Sequence, residues 1–454
     1  MRKISLLFSD FLAFYGALAL ILLARYGASQ WSNQWDVHVA PFSILLVVWI
    51  FALYIANLYE QRTMRNDRAF FERLAQAMTV ATIASIIFFY LIPTFGIAPK
   101  LNLFLFLITL AALMWAIRLG YNRVLASGSK KNILGVGHNQ ESLELVQFIS
   151  ENPQFGYRVA GILRIGQHEL PLDERPILCP IIESLQDAPA FIDTEDIALV
   201  VISPSAYAMR EVVDLFFGTL SQRVDFTKLA TFTETLTGTV PLGAIDQTWF
   251  LDNISQHSRR AFDVIKRATD IAAVVVLGIP TLAILPFVAL AIYAESPGPI
   301  FFTNRRTGRG GKPFDMLKFR SMRPDAERTT GAVWASQNDP RVTRVGKFLR
   351  TTRIDELPQL VNILRGEMSL VGPRAERPEF DSQLATQIPF YRERYLIKPG
   401  LSGWAQINYP YGSSVQDAEH KLEYDLYYIK HRSLVLDVEI ILKTINISIR
   451  RAGR

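Results

Sequence analysis

Four apolar windows near the start of the chain constrain its fold most, because each is long enough to cross a lipid bilayer. About 30 Å of hydrocarbon requires roughly 17 to 25 predominantly apolar residues in a helix. The sequence therefore predicts a four-helix transmembrane bundle over residues 1–125. The windows are Ile4–Leu23, Pro41–Leu58, Ala75–Ile92 and Leu101–Ile117.

The charges between these windows predict their orientation. The segment Tyr26–Ala40 contains no Lys or Arg, and the segment Pro93–Asn102 contains only Lys100. Because Lys and Arg are enriched in cytoplasmic loops, these two segments are expected outside and both ends of the bundle in the cytoplasm. The expected cytoplasmic side carries Arg62, Arg65, Arg68, Arg73, Arg118, Arg123, Lys130 and Lys131.

Asp10 is an ionisable residue inside the first window. Such a residue in a membrane span is often functional. It also lies close to the start of the span, where a carboxylate can reach the interface or bond within the bundle. We favour this structural interpretation over a functional one.

From Lys131 onward, apolar runs such as "NILGVG" and "IALVVIS" alternate with helical patterns. This alternation predicts a parallel sheet with crossover helices, and so a Rossmann-like α/β domain over residues 126–255. The first turn, Gly135–Gln140, is similar to a dinucleotide-binding loop, but Gln140 replaces its third glycine. No acidic residue ends a clear second strand, so a regulatory or dimerisation module is favoured over catalytic use of a nicotinamide.

A fifth apolar segment, Asp270–Ile292, is also long enough to span the bilayer. Both of its flanks are basic, which favours two cytoplasmic ends. Pro280 removes a backbone donor near the middle and lets the helix bend, so we expect a re-entrant helix over residues 266–294. The alternative is a crossing helix, which would place the chain after Ser296 outside. The flanking cations are Arg259, Arg260, Lys266, Arg267, Arg305, Arg306, Arg309 and Lys312.

The overall composition agrees with a membrane location. Hydrophobic residues make up 50% of the 454 residues, and the net charge is +6. A basic surface suits anionic headgroups or phosphorylated substrates, while nucleic acid is not expected because no helix-turn-helix, zinc or aromatic-platform motif accompanies the charge. Cys179 is the only cysteine, which excludes a disulfide framework and a thiolate metal cluster within this chain.

The segment after the fifth apolar run is dense in cations, glycines and carboxylates. The pair Asp355 and Glu356 precedes an apolar run, Leu357–Leu364, whose spacing predicts a helix. Carboxylates at a helix start act either as a cap and dipole partner or as a nucleophile or hard-cation ligand. Four cations beside turn-forming residues are suited to phosphate oxygens: Lys318, Arg320, Arg350 and Arg374.

Five motifs follow one another between Lys266 and Ile445: "KFRSM", "DAE", "IDELPQL", "GEMSLVGPR" and "PGLSGWAQ". In this order they resemble the bacterial sugar transferase family, the monotopic polyprenyl-phosphate phosphoglycosyl transferases. The whole chain resembles the large members that initiate exopolysaccharide or O-antigen synthesis. The resemblance implies a membrane protein of mixed class, whose residues 256–454 form a mainly α catalytic domain with a re-entrant helix broken at Pro280.

The resemblance also implies a mechanism. Asp355 would be the nucleophile that forms a covalent phospho-sugar intermediate, and Glu356 would help to bind Mg²⁺. The reaction would move a sugar 1-phosphate from a UDP-sugar to undecaprenyl phosphate at the bacterial inner membrane, with the soluble domains in the cytoplasm. The sugar, the pathway and the oligomeric state, including a homodimer, stay open. The phosphates would be oriented by Lys318, Arg320, Arg350 and Arg374.

Several residues keep two interpretations. Asp325 and Glu327 of "DAE" support either the metal or the fold, and we favour support of the fold. Trp404 and three tyrosines lie either at the headgroup level or in the core. Two positions depart from the family pattern: Ala375 stands where Pro is common, which loosens the loop of Arg374, and Ile279 stands where Ser commonly precedes the proline. The tyrosines are Tyr424, Tyr427 and Tyr428.

Two rival interpretations are disfavoured. A membrane-bound nucleotide-sugar dehydratase would need a Tyr with a Lys four residues later, and no Tyr in this chain has that partner. A non-catalytic membrane sensor with a nucleotide-binding α/β domain would not require the ordered acidic and basic motifs.

Overall fold

The computed structural model describes residues 2–91, 100–165, 179–220, 223–254, 260–324, 339–410, 412 and 414–449. The chain divides into two compact units, Met1–Leu229 and Ala230–Arg454.

The first unit begins with long apolar helices, as expected. They are α1 (Arg2–Ile55), α2 (Arg68–Leu91) and α3 (Lys100–Ser127). Among the described residues, four helices are long and apolar enough to cross a membrane, and three of them lie here. The first predicted span and the second as far as Ile55 fall within α1. Most of the segment 93–102, which was expected outside, lies beyond the described residues.

The two spans in α1 are joined at Gly27, where the backbone leaves the helical region (φ 72°, ψ 171°). Tyr15 and Ser43 then share a hydrogen bond of 2.7 Å, so the two segments lie side by side after the chain reverses. Glycine tolerates this left-handed φ because it has no Cβ. The expectation of a loop over Tyr26–Ala40 is therefore wrong: apart from Gly27, these residues are helical, since apolar packing continues along the second segment.

Asp10 lies fully buried in the bundle and is part of a polar network. Its Oδ2 accepts a hydrogen bond of 2.7 Å from the Tyr59 hydroxyl and another of 2.7 Å from Arg118 Nη2. Arg118 is buried as well and also lies over the Tyr59 ring. These contacts join the first span, the end of the second and the last helix, which agrees with the structural interpretation of Asp10.

The rest of the first unit is the predicted α/β arrangement. Five parallel strands lie in the order β3-β2-β1-β4-β5, and their apolar side chains pack against crossover helices. The elements are β1 (Lys131–Val136), α4 (Gln140–Glu151), β2 (Tyr157–Leu163), β3 (Ile181–Ile182), α5 (Ala188–Thr194), β4 (Ile197–Ile202), α6 (Pro204–Tyr207), α7 (Arg210–Gly218) and β5 (Asp225–Lys228).

The glycine-containing turn after β1 is packed against its neighbouring strand. Gly137 has φ +102°, and a Cβ there would overlap the Ser203 hydroxyl. The Asn139 side chain accepts a hydrogen bond of 2.9 Å from the amide of Ser142 at the start of α4. The chain therefore caps this helix itself, at the position where a dinucleotide-binding loop would hold phosphate.

The second unit begins earlier than the domain boundary predicted at residue 255. Glu234 accepts a hydrogen bond of 2.7 Å from Lys430, whose ammonium lies 5.2 Å from the ring centre of Trp249. Trp249 belongs to the hydrophobic core of this unit. Residues 230–254 therefore pack with the C-terminal region. Sequence periodicity did not reveal this packing, because it indicates which face of a helix is apolar but not which element packs against that face.

The remaining elements of the second unit are mainly helical. They are α8 (Leu229–Thr237), α9 (Gln247–Asn253), α10 (Arg260–Glu295), β6 (Phe301–Thr307), β7 (Pro313–Phe319), α11 (Arg344–Thr352), α12 (Leu360–Arg365), β8 (Ser369–Val371), α13 (Pro378–Gln387), β9 (Gly400–Ser402), α14 (Trp404–Asn408), α15 (Val415–His431) and α16 (Leu434–Ile449).

Helix α10 contains the fifth apolar segment and is continuous over 36 residues. Pro280 and Pro286 lie inside it, helical turns continue on both sides of them, and the predicted bend at Pro280 stays a prediction. A proline removes only one backbone hydrogen bond, and helical turns on both sides can persist. Large apolar side chains along α10 stay exposed within this unit, as expected for a lipid-facing helix; they include Val276, Ile279, Leu282, Phe287 and Leu290.

Candidate active site

The predicted acidic pair lies on a short turn between α11 and α12. Arg353 has a left-handed backbone (φ 59°) directly after α11, and Ile354–Gln359 then forms a 3₁₀ helix that leads into α12. A non-glycine residue in this region carries strain of about 1–3 kcal/mol, which is characteristic of functional sites. Asp355 and Glu356 occupy the first turn, as the spacing predicted.

Neither carboxylate caps the helix. The N-cap position is Arg353, and no side-chain capping bond is present there. Asp355 and Glu356 are instead only 6% and 8% exposed. A capping role therefore does not account for the pair, and two buried acids next to each other need another explanation.

Three cations converge on Glu356. Its Oε1 lies 3.0 Å from Lys318 Nζ, 3.6 Å from Arg353 Nη1 and 3.7 Å from Arg374 Nη2. Burial alone would raise the pKa of Glu356, but Lys318, Arg374 and Arg353 outweigh it and lower the pKa to about 2. Glu356 is therefore the ionised anchor of the site at neutral pH.

Asp355 is in the opposite situation. Its Oδ1 is buried and has no hydrogen-bond partner among the described residues. Burial raises the pKa of Asp355, Lys318 opposes that rise, and the adjacent charge of Glu356 adds to it. A carboxylate oxygen to which no described residue bonds is available for a reaction or for a bound cation.

Strand β7 brings Lys318 to this position. It pairs with β6 in an antiparallel hairpin, in which Lys318 lies opposite Phe302. The buried Asn362 side chain then ties β7 to α12, because it accepts from the Leu317 amide (3.0 Å) and donates to the Asp315 carbonyl (2.8 Å). These two bonds set the distance between the strand with Lys318 and the turn with Glu356.

Arg374 extends from a loop that is held by other arginines. Arg394 Nη2 donates to the Arg374 carbonyl (3.1 Å) and to Asp425 (2.8 Å), and Arg306 Nη1 donates to the Ala375 carbonyl (3.3 Å). The buried Asp425 carboxylate supports Arg394. The loop therefore has tethers that compensate for the proline replaced by Ala375.

The other two predicted cations have different partners. Arg350 Nε donates to the Ser321 hydroxyl (2.8 Å), and its charge opposes the rise that burial causes in the pKa of Asp355. The Arg320 guanidinium is buried, and its Nη2 donates to the carbonyl of Ser296 just after α10. The structure thus gathers Lys318, Arg350 and Arg374 around the acidic pair, whereas Arg320 bonds to the end of the membrane helix.

Sequence analysis missed Arg353 as a member of the site. Its signal was its place two residues before Asp355, in a basic run whose members were individually indistinguishable from solvated surface residues. Only the left-handed backbone at Arg353 turns this side chain toward Glu356.

The donor set allows a divalent cation with few protein ligands. Among the described residues, no group of three or more His, Cys, Asp or Glu side chains could enclose a metal. Mg²⁺ in phosphoryl-transfer sites commonly uses one or two carboxylates together with substrate phosphates. The unbonded Oδ1 of Asp355 and the carboxylate of Glu356 fit that pattern. Asp325 and Glu327 lie outside the described residues.

The aromatic residues with two interpretations lie in the core. Trp404 is buried, donates to the Gly238 carbonyl (2.8 Å) and stacks on Tyr427. Tyr428 is buried and donates to Asp437 (2.6 Å). Tyr424 and Tyr427 pack against the same core. The core alternative is therefore confirmed for Trp404 and Tyr428.

Two cavities lie in this region. A small one between β7, the 3₁₀ turn and the Arg374 loop is lined by Lys318, Glu356 and Arg374. A cleft of about 600 Å³ lies at the tip of the β6–β7 hairpin, against α13, and includes Arg309 and Arg392 in its lining. None of the predicted site residues lines this second cleft.

Two family models match the chain. One, described as "Bacterial sugar transferase", matches residues 261–451, which include every residue of the acidic and cationic cluster. The other, described as "CoA-binding domain", matches residues 54–222, which include the parallel sheet apart from β5.

Curated relatives extend these matches. The chain is 32% identical over 333 residues to the UDP-glucose:undecaprenyl-phosphate glucose-1-phosphate transferase of Klebsiella pneumoniae, covering 72% of this chain and 68% of the relative. It is 30% identical over 339 residues to the protein of the same name from Xanthomonas campestris pv. campestris, covering 69% and 66%. It is 46% identical over 213 residues to the UDP-N-acetylgalactosamine-undecaprenyl-phosphate N-acetylgalactosaminephosphotransferase of Aeromonas hydrophila, covering 47% and 49%.

The chain belongs to the bacterial sugar transferase family, in its large polyprenyl-phosphate phosphoglycosyl transferase group. The matched segments span about half of the Aeromonas relative and just under two thirds of the Xanthomonas one. The names of these relatives differ in the sugar, so the matches leave the sugar open.

Proposed function

We propose that the chain is an enzyme that transfers a sugar 1-phosphate from a UDP-sugar to undecaprenyl phosphate, initiating synthesis of an exopolysaccharide, a capsule or an O-antigen. The observation that carries the proposal is the buried Oδ1 of Asp355, which has no hydrogen-bond partner in the described part of the chain, beside a Glu356 whose charge is already matched by three cations. Glu356 binds the cations, and Asp355 is available as the nucleophile. Family membership and the names of the relatives support the reaction class.

The first half-reaction is a displacement at the phosphorus that bears the sugar. A carboxylate oxygen of Asp355 forms a bond to this phosphorus, and the bond to the bridging pyrophosphate oxygen breaks. UMP leaves with that electron pair. Lys318, Arg350 and Arg374 lie where they can orient the phosphate oxygens. Arg320, for which the resemblance implies the same role, instead donates to the Ser296 carbonyl.

The second half-reaction regenerates the enzyme. An oxygen of undecaprenyl phosphate forms a bond to the same phosphorus, and the bond to Asp355 breaks. The products are undecaprenyl diphosphate-sugar and the free carboxylate. Because a covalent intermediate lets two anionic substrates use one site in turn, their phosphates need not be bound together.

Mg²⁺ is assigned to this site with Glu356 as its protein ligand, beside the nucleophile Asp355. When bound, it would neutralise charge on the pyrophosphate and on the leaving group. Glu356→Gln is expected to weaken binding of Mn²⁺, a spectroscopic substitute, by about tenfold in the presence of donor. Electron paramagnetic resonance of bound Mn²⁺ measures this independently of turnover.

The proposed location is the cytoplasmic face of a bacterial inner membrane, with α10 as a re-entrant helix. Near its start, Arg267 donates to the carbonyls of Ile363 (2.6 Å) and Leu364 (2.7 Å). At its other end, Glu295 accepts from the amides of the first residues of α11. Both ends of α10 thus bind one segment, 344–365, whereas a crossing helix would separate its ends by about 30 Å of hydrocarbon.

The α/β region of the first unit is assigned a regulatory or dimerisation role. The self-capped turn at Asn139 and the packed Gly137 support a use other than nicotinamide chemistry. Mass photometry of the protein in nanodiscs distinguishes a homodimer from a monomer.

The decisive experiment uses the purified protein and the donor alone. Wild type is expected to release UMP and to acquire a covalent phospho-sugar adduct, detected by intact mass spectrometry. Asp355→Asn should do neither while inserting normally into membranes, and the exposed Asp252→Asn serves as the matched control. An adduct on Asp355→Asn, or none on wild type with any UDP-sugar of a panel, would overturn the proposal.

A further inference from the structure

The C-terminal end of the membrane helix α10 is held by two charged side chains outside the acidic pair. Glu295, the last residue of α10, accepts hydrogen bonds of 2.7 Å from the amides of both Arg344 and Val345. These are the first two residues of α11, and the Thr343 hydroxyl accepts from the third amide at 2.9 Å. The open start of α11 is therefore closed by the end of the membrane helix.

The charge of Glu295 suits this contact. Glu295 accepts from two amides at the start of α11, and a carboxylate at a helix start interacts favourably with the helix dipole.

Arg320 holds the next residue of the chain. Its Nη2 donates to the Ser296 carbonyl, and the guanidinium fills the space beside Gly298. Gly298 has φ +137°, and a Cβ there would overlap Arg320 Nη1. The turn that leaves the membrane helix is therefore shaped around this buried arginine.

Each of these contacts is close in sequence to one part of the acidic and cationic cluster: Arg320 to Lys318, and α11 to Arg353 and Asp355. Arg320 follows Lys318 by two residues, and α11 is followed by Arg353 and Asp355. Helix α11 packs closely against the residues just after β7. A Cβ on Gly346 would overlap the Ser321 carbonyl, so only glycine fits at this contact. Displacement of the end of α10 would move both parts relative to the lipid surface.

We infer that Glu295 and Arg320 are positioning residues that set the height of Asp355 above the membrane surface. The inference rests on the proposed function. A soluble nucleotide sugar reaches the site at any height, whereas the phosphate of a membrane-dissolved acceptor is confined to the headgroup level. Loss of the contact should therefore impair transfer to the lipid and spare formation of the adduct.

The test measures the two half-reactions separately in Glu295→Ala. UMP release and adduct formation from donor alone are expected to stay within about twofold of wild type, while transfer of the adduct to undecaprenyl phosphate in vesicles falls about ten- to hundredfold. Glu295→Gln keeps one acceptor oxygen and should lie between the two. A short, water-soluble polyprenyl phosphate should restore Glu295→Ala to near the wild-type rate.

The matched control is Glu379→Ala, an exposed glutamate in the first turn of α13. Equal slowing of both half-reactions in Glu295→Ala, or no slowing of either, would overturn the inference. The same assays separate this result from failure of the proposed function, because wild type would then form no adduct at all.

Discussion

Lys318 Nζ lies 3.0 Å from Glu356 Oε1, and this ion pair determines which of two adjacent acids is left for chemistry. Both side chains are largely buried, and burial by itself lowers the pKa of Lys318 and raises the pKa of Glu356. On Glu356, the charge of Lys318 and those of two arginines outweigh the effect of burial, so its pKa is lowered. Asp355 is the neighbouring residue, yet its Oδ1 has no such partner among the residues that the structure describes.

Lys318→Met is expected to reduce sugar-phosphate transfer about a hundredfold or more, because a buried Glu356 would lose its nearest counter-charge. The incorporation of radiolabelled sugar phosphate into the lipid fraction measures the effect. Lys347→Met, at an exposed lysine of α11, should leave the rate unchanged. Full activity of Lys318→Met would show that the pair does not organise the site.

The first half-reaction should have an acidic limb set by Asp355. Burial raises the pKa of Asp355 above its ordinary value of about 4. The reactive carboxylate form is therefore lost at a higher pH than it would be for an ordinary aspartate. Glu356, with a pKa of about 2, stays ionised across this range. Single-turnover UMP release as a function of pH gives the midpoint, and a rate independent of pH from about 4 to 7 would contradict the assignment.

Asp10→Asn should destabilise the bundle by about 3–5 kcal/mol, because it leaves the buried Arg118 guanidinium without a counter-charge. The melting temperature in detergent reports the loss. The double variant Asp10→Asn with Arg118→Met should recover part of it, whereas Asp36→Asn, at an exposed acid, should have no effect. A melting temperature of wild-type value in Asp10→Asn would show that the network is not structural.

Cysteines at both ends of α10 test its path through the membrane. Ile265→Cys and Phe301→Cys are expected to resist a membrane-impermeant thiol reagent in intact cells and to react after permeabilisation. Val37→Cys, in the segment expected outside, is the positive control. Burial raises the pKa of the native Cys179 to about 11, so its background labelling is slow, and Cys179→Ser removes it. Labelling of Phe301→Cys alone in intact cells would mean that α10 crosses the membrane.

The sequence predicted elements whose signals are local or periodic. Apolar windows located the membrane helices, and alternating strand and helix patterns located the parallel sheet. The spacing around Leu357 and Leu360 placed the acidic pair in the first turn of a helical segment. A single residue carried less signal: Gly27, which was not singled out in the sequence, reverses the chain.

By itself, therefore, the sequence determined the membrane segments, the parallel α/β region and the identity of the acidic pair, because hydropathy, periodicity and motif order are properties of neighbouring residues. Tertiary structure alone decided the electrostatic roles. The pairing of Lys318 with Glu356, the turn of Arg353 toward the same carboxylate and the attachment of Arg320 to Ser296 depend on side chains distant in sequence or on an unusual backbone angle. Burial and charge act through space, so only the folded chain distinguishes the ionised Glu356 from the unbonded Asp355 beside it.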